Sequence, residues 1–239
     1  MGSSVRSPST DRALYLRLGR LGYRETLAIQ RGLHARRVGG EVPDLLITVE
    51  HDPVFTVGRS GSEGSILASQ ASLKREGIEV IRVERGGDVT YHGPGQLVAY
   101  PIVGLRDRGR DIKGYIRLLE EAAIRTLSSF GIEGSRRSGY PGVWAGGGKI
   151  ASIGVYVRRW VTMHGIALNV ATDPSHFAMI KPCGLDAQAV SMREVLDRPV
   201  DLEDVVPVFI SELASLFNWE LEEAELGELL EGYEPTRLD

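Results

Sequence analysis

The sequence predicts an α+β protein organised as one domain. Segments with strand-like alternation and segments with helical period are interleaved along the chain. No internal repeat, low-complexity tract or linker divides it. Its 239 residues, 42% hydrophobic and 25% charged, supply enough chain for one substantial core.

Residues 1–11, rich in Ser, Gly and Pro without apolar period, read as a disordered leader. Residues 13–18 alternate like a half-buried strand. Residues 23–38 set Tyr23, Leu27, Gln30, Leu33 and Arg37 at helical intervals, with Leu27 and Leu33 facing inward, and Gly39 and Gly40 stop that helix. Strands are predicted at 44–50 and 53–57, a short helix at 69–76, and a strictly alternating strand at 78–84. A glycine-rich turn leads to a further strand at 96–103.

Residues 111–130 carry the clearest helical signal. Ile112, Tyr115, Ile116, Leu119, Ala123, Ile124 and Leu127 form one apolar stripe, Asp111 is placed to cap it, and Gly131 ends it. Residues 142–145, 149–157 and 161–170 read as β-structure. Residues 201–217 read as a helix in which Pro207, lacking a backbone N–H, marks a break or a late first turn. The last twenty residues, rich in Glu and Leu, read as an amphipathic helix and tail. The expected division is a leader at 1–11, one domain at 12–219 and a helix or tail at 220–239.

Bulk properties exclude several function classes. A formal net charge of −4 argues against a nucleic-acid footprint over the whole surface. The single cysteine cannot form an internal disulfide, which fits a reducing, cytoplasmic compartment. No apolar run approaches the ~18 residues of a membrane span, and the N-terminus lacks a signal-peptide core.

Three segments place residues where a plain core would not want them. In R-G-G-D-V-T-Y-H-G-P-G-Q, from Arg85 to Gln96, four glycines permit close approaches and positive backbone angles. A glycine-rich turn with an incidental histidine is the ordinary reading of a short R-G-G. The density over twelve residues favours a ligand-cradling loop, with Arg85 and His92 as donors. G-G-G-K-I-A-S-I-G, from Gly146 to Gly154, is not a phosphate loop: Val143 stands where the first glycine belongs and Ile150 where Ser or Thr is needed. Lys149 is a solvated hairpin charge in the plain reading. Drawn inward between glycines and an apolar strand, it would lose solvation and become a better base.

The third segment is K-P-C-G-L, from Lys181 to Leu185. A lone cysteine is most often a small buried hydrophobe. Pro182 and Gly184 instead describe a fixed turn that exposes the Cys183 thiol as a nucleophile. A thiol with a reference pKa of ~8.5 needs a cation or base beside it, for which Lys149, His92 and His164 qualify. His51, His92 and His164 lack the spacing of a metal site, so no metal is expected.

Taken together, H-D-P-V-F-T-V-G-R (His51 to Arg59), R-G-G-D-V-T-Y-H-G-P-G-Q, G-K-I-A-S-I-G, H-G-I-A-L-N and P-C-G, in this order, resemble the lipoyl(octanoyl) transferases of the lipoate-protein ligase B family. The resemblance covers residues 13–217. It implies mixed and antiparallel sheets flanked by helices, as in biotin/lipoate-protein ligase-like catalytic domains. It also implies transfer of an octanoyl group from octanoyl-acyl carrier protein to a lysine of lipoyl domains, in 2-oxoacid dehydrogenases and in the glycine cleavage H protein. By motif, Cys183 matches the thioester-forming nucleophile and Lys149 its activator. Arg85, Gly86, Gly87, Asp88, Val89, Thr90, Tyr91 and His92 match acyl-site walls, with Ser152, Ile153 and Gly154, and with Gly165, Ile166 and Ala167 beside His164. Asp52 and Ile166 depart from the family pattern and bear on chain-length fit.

A thioester donor makes the first transfer an exchange of like for like and the second downhill, so neither ATP nor metal is expected as cofactor. Glycine-loop amides and the Pro182–Gly184 turn are placed to hold an oxyanion. Arg136, Arg137, Arg158 and Arg159, or Arg106, Arg108, Arg110 and Lys113, would suit acidic protein partners. Nucleic acid and membrane are not expected among them. The rival readings are an ATP-dependent lipoate or biotin ligase with Cys183 idle, a cysteine hydrolase using His92 or His164, and a non-catalytic acyl-binding module.

Overall fold

A computed structural model describes residues 10–181 and 188–231. The chain builds an eight-stranded mixed sheet and a smaller three-stranded sheet. The first strand, β1 (Asp11–Leu21), begins inside the expected leader, because Asp11 pairs with Trp219. Helix α1 (Tyr23–Gly39) then crosses to β2 (Asp44–His51), which lies parallel to β1, and Gly40 closes the helix in the left-handed region at φ 77°. Strands β6 (Gln96–Ile102), β10 (Val161–Asn169), β9 (Gly148–Arg158), β8 (Tyr140–Ala145) and β7 (Ser135–Arg137) complete that side of the sheet in spatial order, all antiparallel to their neighbours.

The apolar runs of β2 and β6 are continuous because both faces are covered. Leu45, Ile47, Val98, Tyr100 and Ile102 pack towards Ile29 and Leu33 of α1. Leu46, Leu97 and Ala99 pack in the opposite core with Leu119, Ala123 and Leu127 of α3 (Ile112–Ser129) and Phe209 and Leu213 of the long C-terminal helix. Leu27 and Leu33 are buried as expected, whereas Ile112 is 37% exposed at the start of its stripe. Asp111 caps α3 through its Oδ1, which accepts the Gly114 N–H at 2.8 Å.

The small sheet orders β4 (Glu79–Arg82), β3 (Val54–Val57) and β5 (Val89–His92), and the short helix α2 (Gln70–Arg75) packs Leu73 into the same cluster as Phe55 and Val57. Strand β5 lies inside the segment expected to be a glycine-rich loop. Val54 and Ile81 join it to Tyr23 and Leu27 of α1 and to Met163 of β10, so the two sheets share packing.

Two C-terminal expectations change. After the short α4 (Met192–Leu196), α5 (Leu202–Phe217) runs unbroken through Pro207. Pro207 is exposed, so water reaches the carbonyl left without a partner, while Val205, Val206, Phe209, Leu213 and Phe217 hold the other face in the core. The residues expected to open a C-terminal helix form β11 (Trp219–Glu223), parallel to β1, before a short α6 (Leu226–Leu230). Trp219, stacked on Phe217 at 4.5 Å, anchors the segment as an edge strand, and the boundary expected at 219/220 falls inside it. Among the described residues no helix is long and apolar enough to cross a membrane.

Candidate functional site

A cleft of about 1180 Å³ opens where β5, β6, β9 and β10 meet the turn before β5. Lys149, Arg85, Gly86, Gly87, Asp88, Val89, Thr90, His92, Ser152, Ile153, Gly154, His164, Gly165, Ile166 and Ala167 all line it. Tyr91 does not. The period of two in β5 turns its ring away, into a cluster with Phe55 and Phe177 and onto His176 at 4.8 Å. The later glycines of that motif serve packing rather than the cleft. A Cβ on Gly95, at φ 79°, would stand 2.6 Å from the Ala171 carbonyl carbon.

Arg85 is 7% exposed, and its guanidinium is fixed by neutral acceptors. Nη2 donates to the Thr56 carbonyl at 2.7 Å and to Thr56 Oγ1 at 2.8 Å, and Nη1 donates to the Gly86 carbonyl at 3.0 Å. Burial pulls its pKa down, yet a guanidinium stays charged in proteins. Glycines give it room: a Cβ on Gly154 would sit 2.8 Å from Arg85 Cδ. The Gly86 N–H donates to Val155 O at 2.9 Å and ties the turn to β9.

Behind these glycines stands a buried polar wall. His51 Nδ1–H donates to the Leu21 carbonyl at 3.0 Å, which leaves Nε2 to accept from the Tyr100 hydroxyl at 2.8 Å. Burial drives the His51 pKa down to about 4 and keeps the ring neutral. Tyr23 lies over His92 at 5.7 Å, and burial raises its pKa to about 12. These rings pack against one another. His164 is unusual in a different way: it holds φ 60° within β10, is 1% exposed, and neither ring nitrogen has a hydrogen-bond partner among the described residues. Its Nε2 lies 3.8 Å from Glu84, too far for a hydrogen bond. Tyr23 and Tyr100 line the cleft without any sequence signal, since both look like ordinary core aromatics.

Lys149, the second residue of β9, is half-buried, with Nζ 5.2 Å from the centre of the Trp144 ring, which Arg137 also overlies. The Lys149 N–H donates to Gln188 O at 2.8 Å, and the Lys149 carbonyl accepts the Val190 N–H at 3.1 Å. Lys181, whose N–H donates to Ser65 O at 2.8 Å, lines the cleft, and so does Gln188. Pro182, Cys183 and Gly184, between them in sequence, lie outside the described residues. Leu67 and Tyr140, 62% and 45% exposed, give the cleft an apolar rim that sequence reasoning missed.

Of the basic residues expected to meet acidic partners, Arg110 overlies Trp160 and Arg137 overlies Trp144, and the others divide into two groups. Arg136 is engaged by Glu120 and Glu121, and Arg108 by Asp11 and the Phe217 carbonyl. Arg106, Lys113, Arg158 and Arg159 are exposed.

Residues 22–214 match the family model described as the lipoyl protein ligase A/B catalytic domain. The chain belongs to this family. Its relatives include an octanoyltransferase of Solibacter usitatus (strain Ellin6076), 48% identical over 85% of this chain and 92% of that protein. An octanoyltransferase of Geobacter metallireducens is 48% identical over 79% of this chain and 85% of that protein. The family's fold is matched by the crystal structure of lipoate-protein ligase A bound with ATP, at TM-score 0.77 and 20% identity over 93% of this chain and 92% of that one.

Proposed function

We propose that the chain is a cytoplasmic octanoyltransferase that takes an octanoyl group from acyl carrier protein onto Cys183 and passes it to a lipoyl-domain lysine. The carrying observation is that Lys149 and both described neighbours of the Cys183 segment, Lys181 and Gln188, line one cleft, with Lys149 hydrogen-bonded to Gln188. Relatives that bear the octanoyltransferase name at 48% identity support the acyl group.

In the first step Lys149 takes the Cys183 proton, and the sulfur attacks the donor carbonyl. The donor's carbon–sulfur bond breaks as the new one forms, and its thiolate leaves with the proton. In the second step the acceptor amine attacks the Cys183 thioester, Lys149 receives the amine's proton, and the Cys183 thiolate departs. No ATP or metal enters either step. The mixed wall of the cleft gives the chain an apolar lodging near Val98, Ile153 and Ile166, at ~0.8 kcal/mol for each methylene buried. Acceptor lysines belong to lipoyl domains of 2-oxoacid dehydrogenases and to the glycine cleavage H protein. Exposed Arg106, Lys113, Arg158 and Arg159 would favour acidic surfaces on donor and acceptor.

Intact-protein mass spectrometry after incubation with octanoyl-acyl carrier protein tests the reading. One hydroxylamine-sensitive octanoyl adduct is expected on the wild type, none on Cys183→Ala, and slow formation on Lys149→Ala. An adduct that persists on Cys183→Ala, or acylation that requires ATP and free octanoate, would overturn it.

A further inference from the structure

A chain of side-chain amides runs from the glycine motif to the strand that carries Lys149. His92 Nδ1 is 2.8 Å from Gln96 Oε1. Gln96 Nε2 donates to Asn169 Oδ1 at 2.9 Å and lies 3.3 Å from the Tyr91 carbonyl. Asn169 Nδ2 donates to the Val190 carbonyl at 3.0 Å, and the Val190 N–H donates to the Lys149 carbonyl.

The direction of this chain is determined by its end. A backbone carbonyl only accepts, so the Val190 oxygen requires the Asn169 amide nitrogen, which turns Oδ1 towards Gln96. Gln96 must then present its nitrogen to Asn169 and its oxygen to His92, so the proton of the neutral ring is on Nδ1. Gln96 and Asn169 are 1% and 5% exposed, and water has little access to replace a lost partner. Each amide has one orientation that satisfies all its neighbours.

We infer that Gln96 and Asn169 are positioning residues, which clamp residues 188–190 against Lys149 through the Val190 carbonyl and so hold the base at its place in the cleft. The inference rests on Lys149 being the base of the proposed reaction. Segment 188–190 has a backbone bridge to Lys149 and lies immediately after the residues that carry Cys183. A side-chain hydrogen bond from Asn169 reaches the Val190 carbonyl of this segment. Asn169, which also lines the cleft, closes the H-G-I-A-L-N segment and Gln96 closes the glycine motif, so the two motifs meet in a hydrogen bond behind the cleft wall.

The test compares wild type, Lys149→Ala, Asn169→Asp, Asn169→Ser and Gln96→Glu. Asn169→Asp keeps the shape but sets a carboxylate oxygen against the Val190 carbonyl, and Gln96→Glu removes the donor that Asn169 Oδ1 needs. Single-turnover octanoyl transfer from the carrier protein is measured across pH, and amide hydrogen exchange is read at Lys149 and Val190. Asn169→Asp and Gln96→Glu are expected to lower the maximal rate by about tenfold or more with the donor KM little changed. The Lys149 and Val190 amides should exchange at least about tenfold faster while those of β6 and β10 remain protected. Asn169→Ser, which keeps a donor in a smaller side chain, should retain part of the rate, and it carries the exchange test if Asn169→Asp does not fold. Wild-type rate and wild-type exchange at Lys149 and Val190 in the folded variants would overturn the inference. If Lys149→Ala itself transfers at the wild-type rate, the reading of Lys149 fails instead, whatever the exchange data show.

Discussion

Gly142 and Lys149 are packed so closely across the β8–β9 pair that a Cβ on the glycine would stand 2.7 Å from Lys149 Cε. Gly142 also holds φ 131°, a conformation side chains rarely adopt, and its N–H donates to Glu120 Oε1 at 3.1 Å. The glycine therefore serves as the floor on which the lysine stem rests. Gly142→Ala should push Lys149 out of place. A Cβ there would also overlap the Ala151 carbonyl oxygen at 2.4 Å, so a fall in transfer rate of about a hundredfold is expected beside a stability loss of about 1–3 kcal/mol or more. Parallel rate measurements and thermal melts check this; an equal wild-type rate in a folded variant contradicts it.

Lys149→Arg keeps positive charge and length but not the ability to give up a proton near neutral pH. Transfer should fall by about a hundredfold to ten-thousandfold, as for the loss of a general base, and Lys149→Ala should fall comparably. Steady-state assays with a saturating donor distinguish this from a binding defect. A Lys149→Arg enzyme as fast as the wild type would mean that the amine acts only through its charge.

Gly154 and Gly165 face each other across the β9–β10 ladder yet predict different failures. A Cβ on Gly154 meets Arg85 Cδ at 2.8 Å and the Gly86 carbonyl oxygen at 3.1 Å, so Gly154→Ala should displace the Arg85 side chain, narrow the cleft and raise the donor KM, at a smaller cost in stability than Gly165→Ala. A Cβ on Gly165 overlaps the Ala99 carbonyl of β6 and comes within 2.9 Å of Pro101. Gly165→Ala should cost about 1–3 kcal/mol or more, since backbone cannot yield as a side chain does. Chemical denaturation of both variants, with KM values for the folded ones, separates the two outcomes.

Acid should weaken the fold between about pH 6.5 and pH 4. The folded His51 ring binds its proton only near pH 4, whereas the unfolded ring does so near its ordinary value of about 6.5. In that window the unfolded chain takes up a proton that the folded chain refuses. Stability is therefore fully present above pH 6.5 and falls as pH drops, by at most about 1.4 kcal/mol per pH unit for each such ring. Burial lowers His92, His164 and His34 in the same direction. For Glu84, burial alone would raise the pKa, but the two-pronged contact from Arg31 outweighs it, which adds to the loss at still lower pH. Urea midpoints from pH 7.5 to 4.5 should decline with a slope that His51→Gln reduces; a flat profile would contradict the buried neutral rings.

Much of the site was legible because its glycines, lysine and histidines stand in residue patterns that no plain core requires. Arg85 to Thr90, His92 and Lys149 could be marked from the chain and do line the cleft. Tyr91 could not be separated from them, because a motif read as a loop has no inner and outer side. Only its formation of β5 imposes the alternation that turns Tyr91 away. Gln96 and Asn169 were passed over for a related reason: each is an unremarkable amide until the other faces it across 73 positions of sequence.

The amino-acid sequence by itself determined the strands and helices whose periodicity is strong, the α+β class and the segments worth suspecting. Local alternation and capping act over a few residues and are written in neighbouring positions. Tertiary structure alone decided that residues 219–223 would be a strand, that Pro207 would sit inside a helix, and that Lys149 would meet Gln188. Those outcomes depend on burial and pairing between residues far apart in the chain, where packing free energy exceeds the weak preferences of the local sequence.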